Sequence, residues 1–453
     1  MFNLDNFLAQ NKWRLDAKAL DSFYFPRECI NQVINKATDS NPLILKGPHG
    51  AGKTTILHIL VKHLITELSI PPENIFYFNL DDPLSCNFFR GSDDVLNFIK
   101  GFVPKNDKQI YLILDEIQHL ITSVSDPLAL IQEIAGKFAG KLIITSSRVD
   151  FTPALKELSQ IEIHTFGFKD YLNRMLNPQN IYLPELKENS AEYLTRVMTN
   201  DYSKLILPYL DDYLIYGGYP LVVRKFNPEE KPELLRQVYA AGFEELLAFG
   251  GKINQPERFT KLIQMLAQSN GELQKVLVLA KECGLSRATV EHYRDILADN
   301  YIVSAVYPGG DGSRSGVPMI YFNDTGLRNC LISLFHKPET RIDRDNLLNN
   351  FLYRNLVMLD GKINYLRIGR TNRIIFNFKR AEMVILATVL YDYPQRKSGY
   401  RGLASLAGRM KPQKAIIITR DYFQYEKIGN TAFICLPVAM AWLLPEIVNT
   451  DFK

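Results

Sequence analysis

The chain has 453 residues, 46% hydrophobic and 23% charged, with 26 Gly and 23 Pro spread along it. At roughly 150 residues per domain this length suits about three domains, and the near-average composition excludes disordered, collagen-like and low-complexity classes. The net charge is only +4, yet residues 362–427 hold 14 Lys or Arg against 4 Asp or Glu, a local +10 that leaves −6 for the rest; such segregation points to a polyanionic partner or to the solvated face of a small domain.

The opening residues, MFNLDNFLAQNKW, lack a basic stretch leading into an apolar one. The longest apolar runs, such as Ile110–Leu114 and Ile416–Ile418, fall far short of the roughly 20 residues a membrane helix needs. A cytoplasmic protein with no membrane partner is expected. Cys29, Cys86, Cys283, Cys330 and Cys435 are scattered without a CxxC pair or a His spaced for zinc, so they read as core residues.

Through the first third, apolar runs at Leu43–Leu45, Ile75–Leu80, Ile110–Leu114, Leu142–Thr145 and Ile161–Phe166 alternate with amphipathic helical patterns, which predicts a parallel α/β sheet. From Lys169 to about Phe249 the pattern turns helical and reads as a lid. Helical segments Phe259–Gln268 and Val276–Cys283 lead to Gly284-Leu285-Ser286, a tight turn with a capping Ser, and then to Arg287–Asp299. Two β-like runs, Tyr301–Tyr307 and Met319–Asn323, joined by the loop PGGDGSRSGVP, complete a predicted winged helix. A small α/β domain closes the chain, with a helix over Asn346–Leu359 and strands at Ile363–Ile368, Arg373–Phe378, Met383–Tyr391 and Ala415–Thr419.

The strongest chemical signal is Gly47-Pro48-His49-Gly50-Ala51-Gly52-Lys53-Thr54, placed between the strand Leu43–Leu45 and the helix Thr55–Glu67. It satisfies G-x-x-x-x-G-K-[ST] in the context the motif requires. The loop backbone from Gly47 through Thr55 is expected to curl around phosphate oxygens at a helix N-terminus, with Lys53 reaching the β- and γ-phosphates of ATP and the Thr54 hydroxyl holding Mg²⁺. A metal-side carboxylate is needed on a neighbouring strand, and Ile110–Leu114 followed by Asp115-Glu116 supplies it. Asp115 is assigned to the metal, and Glu116, one residue further on, to general-base work on a water near the γ-phosphate. At the end of the next strand Ser146 is the candidate to orient water or sense the γ-phosphate, although Ser146 and Ser147 equally suit a helix cap.

With the phosphate loop, Asp115-Glu116-Ile117-Gln118 and Thr145-Ser146-Ser147 in view, the chain resembles a family of prokaryotic AAA+-type ATPases whose strand-end signature reads DEIQ. Arg27-Glu28, Tyr216-Gly217-Gly218-Tyr219-Pro220 and Tyr321-Phe322-Asn323-Asp324-Thr325-Gly326-Leu327 extend the resemblance over about residues 24–360. It implies a tail similar to the restriction-endonuclease-like fold, with a helix acid, a V-D-F strand and an E-x-K strand. This sequence departs from that pattern: Asn349-Asn350 stands at the helix position, residues 373–378 (RIIFNF) hold no carboxylate, and Met383–Tyr391 contains no E-x-K. Metal-dependent cleavage needs such carboxylates, so an inactive nuclease-like tail is expected. The trans-acting arginine is also missing between Ser147 and the fifth strand, where the helical region carries only Lys156; Arg148 lies early and Arg174 late. Self-association into a homo-oligomer therefore stays open.

The expected class is α/β: a P-loop NTPase core with an AAA+-like parallel sheet (1–168), a helical lid (169–250), a winged helix-turn-helix (251–325) and the nuclease-like domain (326–453). The first functional reading is an ATPase that moves the winged helix and basic tail on nucleic acid. The alternative is an ATP-dependent signalling switch whose winged helix and tail bind protein, with Arg287, His292 and Arg294 serving packing rather than DNA reading. An active nuclease ranks third.

Overall fold

The computed structural model describes residues 3–23, 27–39, 41–103, 106–148, 158–186, 191–199, 202–249, 253–309, 316–367, 374–393 and 398–451. The chain forms two compact units: Met1–Thr165 with Ala240–Lys252 and Asp299–Tyr301, and Phe166–Tyr239 with Ile253–Ala298 and Ile302–Lys453.

In the first unit, β1 (Leu43–Lys46), β2 (Ile75–Asn79), β3 (Tyr111–Asp115), β4 (Lys141–Ser146) and β5 (Ser159–Glu162) pair in parallel in the order β2-β3-β4-β1-β5. Successive side chains point to opposite faces, so Ile44, Phe76, Phe78, Leu112, Leu114, Leu142 and Ile144 enter one core. Leu43, Leu45, Ile75, Tyr77, Tyr111, Ile113 and Ile143 enter the other. Both faces are covered, which is why these strands read as unbroken apolar runs. β1 sits between β4 and β5, and in such sheets the crevice at the strands' carboxyl ends, where the strand order switches direction, is where ligands lodge. The last strand is shorter than its apolar pattern predicts. Ile163 still donates to the Lys46 carbonyl (2.7 Å), but beyond it the chain leaves the ladder.

The exposed edge of β2 is covered by residues whose role the apolar pattern does not reveal. The Asn11 amide donates to the Tyr77 carbonyl (2.9 Å) and accepts from the Tyr77 N–H (3.0 Å), while Arg14 bonds the Ile75 carbonyl. Side chains thus stand in for a sixth strand and blunt an edge that would otherwise invite pairing. The short helix Leu4–Gln10 anchors this segment through Phe7, packed on Phe76 and Phe78.

The second unit begins with helices Phe168–Leu176, Ala191–Thr199, Tyr202–Tyr216 and Pro220–Val223. Helices Pro256–Gln268, Val276–Cys283 and Arg287–Asp299 follow, and then the antiparallel pair β6 (Val303–Val306) and β7 (Met319–Phe322). Gly284, at φ 65°, makes the turn between the second and third of these helices, and Ser286 Oγ caps the third by accepting from the Thr289 N–H (3.0 Å). Most of the predicted wing loop lies outside the described residues. The motif pair around Gly217 and Gly326 is a structural joint: Asp324 accepts from the Gly218 N–H (2.8 Å) and the Leu327 N–H (3.0 Å). A Cβ on Gly326 would stand 2.0 Å from the Tyr216 carbonyl oxygen.

Among its described residues the tail holds six strands where four were expected. β8 (Lys362–Arg367), β9 (Ile374–Arg380) and β10 (Met383–Val389) form an antiparallel meander. β11 (Lys414–Thr419) adds to β10 in parallel, β13 (Thr431–Pro437) to β11 in parallel, and β12 (Gln424–Ile428) pairs with β13. Helices Arg344–Val357 and Ser398–Met410 accompany the sheet. The unforeseen hairpin turns at Gly429, φ 60°, after a strand whose half-exposed QYEKI sequence carries little apolar signal.

One expectation about organisation changes. The helix Lys231–Phe249, read as the end of the lid, is shared by both units, with its last half in the first. Cys86, Cys283 and Cys435 are buried, whereas Cys29 and Cys330 are half-buried. Among the described residues no helix is long and apolar enough to cross a membrane.

Candidate nucleotide site

The site is assembled at the carboxyl ends of β1, β4 and β3. Leaving β1, the Gly47 N–H donates to the Ser146 carbonyl (3.1 Å), and a Cβ at Gly47 would lie 1.9 Å from the Ile163 carbonyl oxygen. Only glycine fits there. Gly52, at φ 91°, precedes the first residue of helix Lys53–Thr66, a conformation that costs other residues roughly 1–2 kcal/mol. The helix presents Ile56, Leu57, Leu60, Val61 and Leu64 to the core, so its N-terminus is fixed with its free N–H groups and positive dipole end at the loop.

Lys53 is buried, 2% exposed, and its Nζ lies 3.2 Å from both the Gly47 and Pro48 carbonyls and 3.4 Å from Glu116 Oε1. Thr54 Oγ1 donates to Asp115 Oδ2 (2.7 Å), and Tyr77 donates to the same oxygen (2.8 Å). Thr145 donates to Asp115 Oδ1 and accepts from the Glu116 N–H (2.8 Å). Burial and the charge of Glu116 push the Asp115 carboxyl above its ordinary range, against the pull of these three hydroxyls. A hydroxyl and a carboxylate side by side form an oxygen-only set that suits a hard cation such as Mg²⁺. Thr54 and Asp115, adjacent through their hydrogen bond, are the residues that could hold one. When bound there, Mg²⁺ would neutralise charge on phosphate oxygens.

Glu116 adopts φ 58°, ψ 54°, the left-handed region. Such strain in a non-glycine residue costs about 1–3 kcal/mol and persists only where surrounding bonds enforce it. Here the enforcing contacts are the Thr145 bond to its N–H and the Gln118 amide bond to its carboxylate.

The expected γ-phosphate sensor is placed differently from its neighbours. Ser146 is fully buried and exchanges hydrogen bonds with the Arg148 backbone (3.1 and 3.3 Å). Thr145 and Ser147 are the hydroxyls of β4 and its end that meet the acidic residues. Sequence reasoning missed Tyr77, Thr145 as a bridge, and above all Glu245. The Glu245 carboxylate pairs with His49 Nδ1 (2.6 Å), accepts from Ser147 Oγ and accepts from Gln118 Nε2 (2.9 Å). Burial pushes Glu245 up, but His49, Ser147 and the Lys53 charge draw it down to about 2. His49 is raised, first by its bond to Glu245. Lys156, the basic residue noted in the helical region before the fifth strand, lies outside the described residues.

In the tail, Asn350 and Ile375, which stand where the resemblance would place acids, are buried. Asn350 is 1% exposed and bonds both the N–H (3.1 Å) and carbonyl (2.9 Å) of Phe322. Ile375, Leu386 and Ala387 are buried core. Of the basic residues in 362–427, Arg370, Arg373, Arg396 and Lys397 lie outside the described residues, Lys379 and Arg401 are exposed, and Arg380 bonds the Leu359 carbonyl (3.1 Å). Tyr393 and Tyr400 pack with each other and with Tyr422 and Phe433, and Tyr391 lies under Arg344.

The phosphate loop, the buried Lys53 and the paired strand-end acids define the first unit as a P-loop nucleotide-binding fold. Residues 39–172 match the family model of an AAA domain, and residues 207–338 match a domain of unknown function, DUF8612. No curated protein matches the chain. Among solved structures, the chain is similar to the Aeropyrum pernix ORC1 protein in complex with DNA at 12% identity, covering 71% of this chain and 96% of that one with a TM-score of 0.30. It is also similar to C. elegans PCH-2 at 16% identity, covering 50% and 72% with a TM-score of 0.32. Both scores are low, and the class of the first unit rests on the AAA-domain match and on the site.

Proposed function

We propose that the chain is an ATPase that binds ATP with Mg²⁺ and acts on nucleic acid through its winged helix and basic tail. The observation that carries this reading is the meeting of Lys53, Thr54, Asp115 and Glu116 at the ends of two strands and one helix. Lys53 binds the β- and γ-phosphates, the loop from Gly47 to Thr55 wraps the phosphate chain, and Thr54 and Asp115 hold the metal. Glu116 takes the proton of the attacking water. The Lys53 and Gln118 contacts hold its carboxylate in place, and Thr145 keeps its backbone in the strained turn that aims it.

The three helices with the β6–β7 pair support a winged-helix reading, and the strand order of the tail with its two helices supports a nuclease-like fold without cleavage chemistry. A protein partner is the second reading. It is favoured by Leu277 and Val278 on helix Val276–Cys283, 71% and 52% exposed, apolar groups that a phosphate backbone would not cover. Calorimetry tests the nucleotide site: the full chain should bind ATP·Mg²⁺ and Lys53→Ala should abolish that binding. Unchanged affinity in a folded Lys53→Ala protein would overturn the assignment. Anisotropy binding to DNA and RNA across a salt series then separates the two partner readings.

A further inference from the structure

Glu245 lies on the helix Lys231–Phe249, far from every motif in the sequence, yet its carboxylate is where three of those motifs converge. His49 comes from the phosphate loop, Gln118 from the DEIQ segment, and Ser147 from the end of β4. The side chain is 11% exposed, and the adjacent Leu246 is buried, so the contact is a seated one. Gln118 offers its amide to Glu116 and Glu245 together, which places the Glu245 charge beside the general base, and Lys53 lies near enough to stabilise that charge.

We propose that Glu245 is an anionic latch that occupies the donors an ATP γ-phosphate needs, so that ATP, and not ADP, releases the end of this helix. The inference rests on the reading of the site as an ATP site. Phosphate oxygens bound by this loop draw on the same donors: the loop side chain at His49, and the hydroxyl of Ser147 and the amide of Gln118 at the strand ends. These are charge-assisted bonds, roughly twice as strong as neutral ones. Two anions cannot share them without strong like-charge repulsion in a poorly solvated site. ADP lacks the third phosphate and leaves the latch closed. ATP displaces the carboxylate, freeing Gln118 from one of its two acceptors and leaving it to Glu116. Because the helix is shared by both units, the latch lies on one of the chain segments that join them, which gives the γ-phosphate a covalent route to the second unit.

The test uses the full chain with Mg²⁺, ADP, and the imido analogue of ATP, which is not consumed. Glu245→Gln keeps the shape and removes the charge; it should tighten the analogue about tenfold or more while changing ADP affinity little. Equal tightening for both nucleotides would reduce Glu245 to a general electrostatic effect and overturn the latch. Hydrogen exchange on the unaltered protein gives a second reading that no folding defect can confuse. Amides in 240–248 should stay protected with ADP and lose protection with the analogue; equal protection in both overturns the proposal. If neither nucleotide binds the unaltered chain, the ATP reading of the site fails, and the latch with it.

Discussion

Among the described residues the two larger sheets, of five and six strands, differ most at the strand ends. β3 and β4 of the first unit finish in Asp115-Glu116 and Thr145-Ser146-Ser147, polar groups that satisfy one another in the crevice beside the phosphate loop. In the tail, the interior strands β9 and β10 carry Ile375, Leu386 and Ala387 as buried core. Architecture alone does not separate the two sheets; a few residues at the strand ends do. The first sheet accepts the cost of a buried Asp115 and a left-handed Glu116, whereas the second carries no comparable strain at those positions.

The comparison is broken most sharply at Glu116. Glu116→Gln should retain ATP·Mg²⁺ binding by calorimetry and lose about 10²- to 10⁴-fold in steady-state turnover, the usual contribution of a positioned base. Loss of binding in parallel with turnover would mean that the residue holds nucleotide rather than activating water. In the tail the reverse experiment adds an acid. Ile375→Asp buries an unpaired carboxyl and should cost about 3 kcal/mol or more in a denaturant titration, with no divalent-dependent cleavage of DNA gained. Cleavage by the unaltered protein that survives Lys53→Ala would show that the tail holds an acid set elsewhere.

These regions were also unequally legible in the sequence. The phosphate loop could be read because glycine positions and a Lys at fixed spacing are dictated by backbone geometry within eight consecutive residues, and Asp115-Glu116 because they end an apolar run. Thr145 was visible only as one of three hydroxyls, and Ser146 drew attention although it turns to the Arg148 backbone. Glu245 lies 127 residues beyond Gln118 on a helix whose apolar pattern records packing alone, so nothing local could have marked it. The edge cover by Asn11 and the β12–β13 hairpin were missed for related reasons: one is a side-chain imitation of a strand, the other a polar strand with weak alternation. In the tail, the lack of a carboxylate in residues 373–378 was legible, but the packing of Tyr393 and Tyr400 on Tyr422 and Phe433 was not.

A smaller effect sharpens the comparison on the tail's own terms. If its exposed cations engage phosphates, reversing Lys379 and Arg401 to Glu should weaken DNA binding for all sequences alike. It should also reduce the slope of log affinity against log salt by about 0.9 for each duplex phosphate that is no longer neutralised. An unchanged slope would leave the tail without a nucleic-acid role and favour the protein partner.

The central claim, that the strand ends of the first sheet make this chain an ATPase, is tested most directly by inorganic phosphate release from ATP by the full chain with Mg²⁺, alone and with added nucleic acid. Turnover should disappear in Lys53→Ala and be unaffected by deleting the exposed charges of the tail at Lys379 and Arg401 when no nucleic acid is present. Binding of ATP without turnover under every condition, or turnover that survives Lys53→Ala, would contradict that claim.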